Sequence, residues 1–355
     1  MRIIISSAGR RVYLVQWFKE ALQQADIPGE VYVLDNDPGA AAAAAADRHF
    51  HIPAFTDAAY QGRLLELIDE LQPDLFISLN DHEITVLSQS IGDELRSRGI
   101  VVPILDASAQ IVVADKLATY RALRSVGVPT PKTVPLSDAV GALELIESSS
   151  DLIIKDRLGS GSSGLLRFGQ EQAHQWLNTR GVELIEQDPA RLDGLVLQQD
   201  LGGIEYGLDI VTPVRGGSVE GILGRRKMRM RHGETSAAIT VPTDQFRGVA
   251  KALNAALGIR GTIDVDVIVT EDGTPHVIDI NPRFGGGYPF CHIAGADIPH
   301  FMVASTLGIE PRTGWNTYQH DFLGAKHEGI IGFEPANTTK TPVPARQQPL
   351  LWHTI

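Results

Sequence analysis

The stretch "TIDVDVIVTEDGTPHVIDINPR" (262–283) consists of two β-branched runs around an Asp272-Gly273 pair, a strong short-range hairpin signal. Read as a two-residue turn with Glu271 opposite Thr274, it pairs Val265 with Ile280, Asp266 with Asp279 and Asp264 with Asn281. Strand side chains alternate between faces, so the polar members share one face, with opposed Cβ atoms about 5 Å apart. Like charges so placed repel, and the face invites a cation. Oxygen donors without a Cys or His cluster suit a hard ion that keeps waters and shares phosphate oxygens, which favours Mg²⁺, with Mn²⁺ as the substitute. A solvated ribbon would carry similar acids. The apolar Val265, Val267, Val277, Ile278 and Ile280 argue for a buried hairpin instead, and Arg283 offers a phosphate partner.

Bulk properties narrow the classes. At 355 residues the chain can form two or three units around sizeable cores. A net charge of -12 argues against a nucleic-acid partner, whose phosphates need a basic footprint. Cys291 is the single cysteine, which rules out an intrachain disulfide and a cysteine zinc site and fits a reducing compartment. "MRIIISS" (1–7) is too short an apolar run for a signal peptide, and no stretch reaches the length of a membrane span. The expectation is a cytoplasmic protein with no membrane partner.

The chain opens as α/β. "RIIISSAG" (2–9) and "EVYVLDND" (30–37) read as buried strands, "RRVYLVQWFKEALQQ" (10–24) as the amphipathic helix between them, and "DLFISLND" (74–81) as a further strand. That alternation implies a parallel, Rossmann-like sheet. The alanine run 40–46 reads as helical. After 103–109 the pattern changes. "ADKLATYRALRSVGVPTPKT" (114–133) is a helix stopped by Gly127 and followed by Pro129 and Pro131. From 151 onward come strands, glycine-rich and charged segments, then a Pro, Gln and Thr-rich end (334–355). No internal repeat is visible.

If a metal holds phosphates on the hairpin, something should cradle them from the other side. "LIIKDRLGSGSSGLLRF" (152–168) offers a strand with Lys155, a loop of Gly and Ser, and a return strand. Glycines let backbone N–H groups approach phosphate oxygens, and Lys155 adds a point charge. GxxxxGK[ST] is absent, so this is no Walker A loop. A flexible hairpin would look the same, and the loop gains weight only from its company.

That company is ordered. Lys116 in "ADKLATYRALRSVGVPTPKT", Lys155 before the glycine loop, "VLQQDLGGIEYGLDI" (196–210) and "IDVDVIVTEDGTPHVIDINPRFGGG" (263–287) follow one another as in the ATP-grasp fold. Over roughly 110–300 the sequence resembles that superfamily, especially carbamoyl-phosphate synthetase large-chain-like domains and small carboxylate-amine ligases. The fold class so implied is α/β, α+β in the catalytic part: a Rossmann-like pre-ATP-grasp domain (1–108), a lid subdomain with the glycine-rich loop (109–195), a C-terminal lobe with the metal site (196–310) and an extension (311–355). The resemblance implies ATP as cofactor, with Lys116 and Lys155 on its α and β phosphates and Gly159, Ser160, Gly161 and Ser162 in a flap that closes over them. In the hinge "QQDL" (198–201), backbone groups of Gln199 and Leu201 would read adenine, and Glu205 the ribose hydroxyls. Asp266, Asp279 and Asn281 match the metal ligands and Arg283 the arginine facing the transferred phosphoryl group. Relatives often carry Glu where Asp279 stands, and the shorter arm bears on whether one or two ions bind.

Arg225, Lys227, Arg229 and Arg231 alternate with other residues in "RRKMRMRHGET" (225–235), so a regular strand presents a row of cations. The resemblance places Arg229 and Arg231 near the γ-phosphate, while a solvated strand edge uses the same residues and His232 is incidental. "SSAGRR" (6–11) and "NDHE" (80–83) lie at strand ends where open α/β sheets bind ligands, and are assigned to the acceptor or carboxylate substrate. The resulting expectation is an ADP-forming ligase that activates a carboxylate as an acyl phosphate and joins it to an amine, with small-molecule substrates and a homodimer left open. Three alternatives stand beside it. One is a bicarbonate-dependent carboxyphosphate-forming enzyme, although one ATP-grasp unit is visible. Another is an NAD(P) oxidoreductase, suggested by Asp35 but lacking GxGxxG. The third is a nucleotide-binding regulatory protein.

Overall fold

Ile3, Ile4 and Ile5 are fully inaccessible to solvent, as a central strand covered on both faces requires. They form β1 (Arg2–Ser6), and the computed structural model, which describes residues 1–159, 165–231 and 233–332, places it inside a parallel sheet. With β2 (Glu30–Asp35), β3 (Arg48–His51) and β4 (Leu75–Ser78) the strand order is β3-β2-β1-β4. The order reverses between β1 and β4, and such a switch point opens a crevice beyond the strands' carboxyl ends. Helix α1 (Val12–Gln24) buries Leu14, Val15, Phe18, Ala21 and Leu22, one stripe at helical spacing. Helix α2 (Tyr60–Leu71) covers the sheet with Leu64, Leu67 and Ile68. Helix α3 (Asp81–Gln89) starts beside the crevice, where Asn80 Oδ1 accepts the N–H groups of His82 and Glu83. The alanine run forms only a short 3₁₀ turn, Ala41–Ala45.

Two antiparallel sheets follow. The smaller is ordered β5-β8-β6-β7, from β5 (Thr133–Pro135), β6 (Asp151–Asp156), β7 (Leu166–Gly169) and β8 (Leu195–Gln199). The larger has six strands in the order β13-β12-β9-β10-β11-β14. These are β9 (Ile204–Val211), β10 (Gly221–Arg231), β11 (Glu234–Val241), β12 (Thr262–Val269), β13 (Pro275–Asn281) and β14 (Leu323–Ala325). Helix Arg247–Leu257 packs Val249, Ala250 and Leu253 into the core beneath it. Residues 323–325 were expected in a terminal extension, yet they pair with β11 and edge this sheet.

The hairpin pairs Asp264 with Asn281, Val265 with Ile280 and Asp266 with Asp279, the expected register. The turn that was to fix it is different. Thr270 N–H donates to Thr274 O at 3.2 Å across a loop of 271–273, with Gly273 at φ 82° and Asp272 Oδ1 accepting from Thr270 and Thr274. A longer loop shifts the pairing by one, so Val267 faces Val277. The ladder is irregular between Asp266 and Val267, and the unpaired Ile278 is a bulge that shifts it back.

At the centre of the larger sheet, Asp209 on β9 lies directly opposite Asp264 on β12. Both are buried. Arg225, 1% exposed in its side chain, donates Nη1 to Asp209 and Nη2 to Asp264. Burial first, and then the two aspartates against it, govern the guanidinium, whose pKa ends above its ordinary value. The space for it is made by glycine. A Cβ on Gly207 would lie 2.9 Å from Arg225 Nε, one on Gly285 2.9 Å from Nη2, and one on Gly287 1.9 Å from Nε. Gly286, in the same run, has only ordinary contacts with Glu234, at 3.6 Å and beyond. Displacing a buried ion cluster leaves charges unpaired, which costs several kcal/mol. Gly287→Ala should therefore lose about 3 kcal/mol of stability, while Gly286→Ala stays within about 1 kcal/mol, as read from urea unfolding midpoints of the two variants.

Candidate functional site

The acidic face lies where the smaller sheet meets the larger. Lys227 on β10 is 7% exposed and its Nζ lies 2.7 Å from both Glu205 Oε1 and Asp266 Oδ1. Burial works against its charge, but the two carboxylates outweigh burial and raise its pKa. Asp266 itself is pushed up to about 6, by burial first and then by Asp264 and Glu205 against the pull of Lys227. Asp279 stands opposite Asp266 and makes no hydrogen bond or ion pair among the described residues. Asn281 Nδ2 reaches Asp264 Oδ2 at 3.4 Å, and its Oδ1 accepts from Arg283 Nη2 at 3.3 Å. The expected ligands Asp266, Asp279 and Asn281 thus share one region. Among the described residues there is no group of three or more His, Cys, Asp or Glu arranged around a metal position.

Lys155 on β6 projects from the smaller sheet toward this face. Its pKa falls to about 8, chiefly through burial, with Asp279, Asp266 and Glu205 acting against burial and Lys116 adding to it. No hydrogen bond holds its ammonium among the described residues. Lys116 begins the helix Lys116–Ser125, capped by Asp115, whose carboxylate also pairs with Arg157 at 2.6 Å. Lys116 Nζ donates to the Gly159 carbonyl, which joins the helix to the start of the glycine loop. Ser160, Gly161 and Ser162, like His232, lie outside the described residues.

Gln199, the expected hinge residue, ends β8, and its N–H is already taken, donating to Lys132 O at 3.0 Å. Leu201 is half-buried and leads into Gly202 and Gly203, with φ of 61° and 100°. A Cβ on Gly203 would sit 2.4 Å from Val269 O, so the turn into β9 and Glu205 needs glycine.

The row of four cations is not realised. Register irregularities between Lys227 and Arg229 and between Arg229 and Met230 break the strand's alternation. Arg225 goes into the core, Lys227 into the acidic face, and Arg229 and Arg231 to the exposed end of β10. There Arg229 Nε donates to Ser236 Oγ at 3.3 Å, and Arg231 pairs with Glu328 at 3.3 Å. Lys227, Arg225, Asp264 and Asp209 are the residues that sequence reasoning left without roles. The glycines facing Arg225 were the available signal.

Arg283 crosses to the first unit. Its Nε and Nη2 donate to Asp81 Oδ2 at 3.1 and 2.9 Å, and its Nη1 donates to Phe284 O. Arg11 lies nearby and donates to Leu79 O at 2.7 Å. Asp35, which could have held a dinucleotide ribose, instead accepts the N–H groups of Gly9 and Asp37 at 2.9 and 3.0 Å.

Two family descriptions match. Residues 3–102 match the PylC-like N-terminal domain, and residues 113–287 match the ATP-grasp domain. The chain contains an ATP-grasp domain. Solved structures agree on the fold. The ADP complex of N5-carboxyaminoimidazole synthetase from Staphylococcus aureus has a TM-score of 0.65 at 16% identity, over 88% of this chain and 78% of that one. Biotin carboxylase from Campylobacter jejuni, in a β-γ-ATP complex, gives 0.66 at 15%, over 90% and 73%. L-amino acid ligase from Bacillus licheniformis gives 0.62 at 17%, over 90% and 77%. No curated protein matches the chain. Among the described residues, no helix of this ATP-grasp protein is long and apolar enough to cross a membrane.

The environment of Lys155 has a measurable consequence. Because its folded pKa lies at about 8, below the ordinary lysine value of 10.5, the unfolded chain binds more protons between these values. Stability contributed by this site therefore rises with pH from about 8 to about 10.5, and the penalty is fully present below 8. Lys155→Met should be more stable than the parent at pH 7 by about 1–2 kcal/mol, discounted for partial exposure. The gain should shrink toward pH 10, as followed by thermal melts across that range.

Proposed function

We propose that this ATP-grasp protein is an ADP-forming ligase that activates a small-molecule carboxylate as an acyl phosphate and joins it to an amine. The observation that carries the reading is the facing of Lys155, a desolvated cation on one lobe, toward Asp279, Asp266 and Glu205 on the other. A lysine buried without a counter-ion is costly in the free protein, and a polyphosphate supplies the missing charge. The similar structures, an ADP complex, a β-γ-ATP complex and an L-amino acid ligase, support the same reading.

Lys116 and Lys155 hold the nucleotide phosphates, the Gln199 carbonyl and Leu201 meet the adenine, and Glu205 bonds the ribose with the oxygen that Lys227 leaves available. The donor set fits a hard divalent ion: Asp266 and Asp279 are opposed, Asn281 is beside them, and Asp264 and Glu205 add negative charge. When bound there, Mg²⁺ supplies charge neutralisation for the phosphates it shares. A carboxylate oxygen of the acid attacks the γ-phosphorus, the bond to the β-bridging oxygen breaks, and ADP leaves with that electron pair. Arg283, fixed by Asp81, faces the charge that develops on the transferred group. A neutral amine then attacks the acyl carbon, phosphate departs with the C–O electron pair, and the amine's proton goes to it. The groups act by position and charge, and no Ser/His/Asp or Cys/His arrangement enters.

With ¹⁸O in the acid, one labelled oxygen should appear in inorganic phosphate for each product formed. Unlabelled phosphate, or AMP and pyrophosphate as products, would overturn the reading. Asp279→Asn should abolish turnover and keep nucleotide binding within a few-fold. Glu205→Ala should raise the ATP requirement and lose discrimination against 2′-deoxy-ATP, because a site built around a hydroxyl discriminates through the group left unpaired. Steady-state kinetics with both nucleotides checks this.

A further inference from the structure

The crevice at the switch point of the parallel sheet carries cations that the proposed chemistry does not use. Arg11 follows β1 and donates Nη1 to Leu79 O, just beyond β4, so its guanidinium spans the gap between the two strands. The Tyr13 hydroxyl lies beside it. Among the described residues no carboxylate lies within ion-pair distance of it. Burial, and then the charge of Arg283, pull its pKa below the ordinary value. The neighbouring charges are already matched: Arg283 by Asp81 at 2.9 Å, and Lys326 by Glu234 at 3.1 Å. Arg10 stands exposed beside the same group, and its charge is felt at Glu234. The β13 end of the crevice is held against α1 by packing, Phe18 on Phe284 at 6.0 Å and Trp17 on Tyr288 at 5.7 Å. Arg11 and Arg283 therefore belong to one rigid wall.

We propose that Arg11 anchors an anionic group of one substrate, a carboxylate or phosphate that takes no part in the reaction. The assignment rests on the ligase reading for the meaning of "substrate". The chemistry separates the two arginines. A reacting carboxylate loses its charge when it becomes an amide, so a desolvated cation devoted to it would be orphaned in the product complex. Arg283 tolerates that change because Asp81 stays with it. Arg11 has no such partner, and an anion that persists from substrate to product is the match for it. Its bond to the Leu79 carbonyl anchors one end of the guanidinium, and a planar fork of donors suits bidentate recognition of carboxylate or phosphate. The anion belongs either to the acid, which is then at least a dianion, or to the amine, which is then an amino acid or similar.

Two matched pairs of probes decide between these sources: succinate against butyrate for the acid, and glycine against methylamine for the amine. Each is titrated by calorimetry into the full chain with Mg·ADP present, for the parent, Arg11→Met and Arg11→Lys. In the parent, the member of one pair with the extra carboxylate should bind at least tenfold more tightly. Arg11→Met should erase that preference while nucleotide affinity stays within twofold, and Arg11→Lys should retain part of it. Equal binding within both pairs in the parent overturns the proposal without recourse to any variant, and so does a preference that survives Arg11→Met. ADP release in the presence of acid and amine is scored separately. Arg11-dependent binding without turnover counts against the ligase reading and leaves the subsite standing, whereas turnover without an Arg11-dependent preference does the reverse.

Discussion

Two carboxylates placed opposite each other in a buried ladder, Asp209 and Asp264, are tolerated because one guanidinium lies between them. Much of the surrounding architecture is arranged for that contact. Gly207 and Gly287 are small because Arg225 fills the volume their side chains would take, and Gly285 because Asp264 does so first and Arg225 behind it. Asp264 reaches Asn281 with its second oxygen, Asn281 reaches Arg283, and Arg283 reaches Asp81 in the parallel unit. One polar chain thus runs from the middle of the large sheet to the far wall of the site. Two glycines of the "FGGG" run, Gly285 and Gly287, are accordingly a packing requirement of a buried ion cluster.

What the sequence revealed was whatever its local periodicity controls. The parallel opening follows from uninterrupted Ile and Val runs, and the polar pairs of the hairpin from alternation about a marked turn. The pairs were right although the turn was not, since a loop one residue longer and the bulge at Ile278 cancel. The fates of Arg225, Lys227, Arg229 and Arg231 were hidden for a physical reason. Alternation assigns a face only while the ladder is regular, and two irregularities after Lys227 end that regularity. The contact of Asp81 with Arg283 was hidden because the two lie in different units, more than two hundred residues apart. Contacts between units leave no period in the chain, and only folding discloses them.

The site shows a division between cations with partners and cations without. Arg225, Lys227 and Arg283 each contact at least one carboxylate. Lys155 and Arg11 do not, and burial depresses the pKa of both. A folded chain holds such charges only at a cost in stability, which marks the places where a ligand is expected to bring the missing anion. The two face different regions: Lys155 the acidic face of the large sheet, Arg11 the crevice of the parallel sheet.

The bulge at Ile278 also isolates the tip of its hairpin from the business end. A strand pair that absorbs one residue of slack can change loop length at its exposed end while its polar face stays in phase. Shortening the 271–273 loop by one residue and deleting Ile278 together would leave Asp266 across from Asp279. The hairpin tip is in this sense a free end, open to insertion, labelling or drift among descendants, and the vernier between it and Asp279 confines a change of loop length to the residues on the tip side of the bulge.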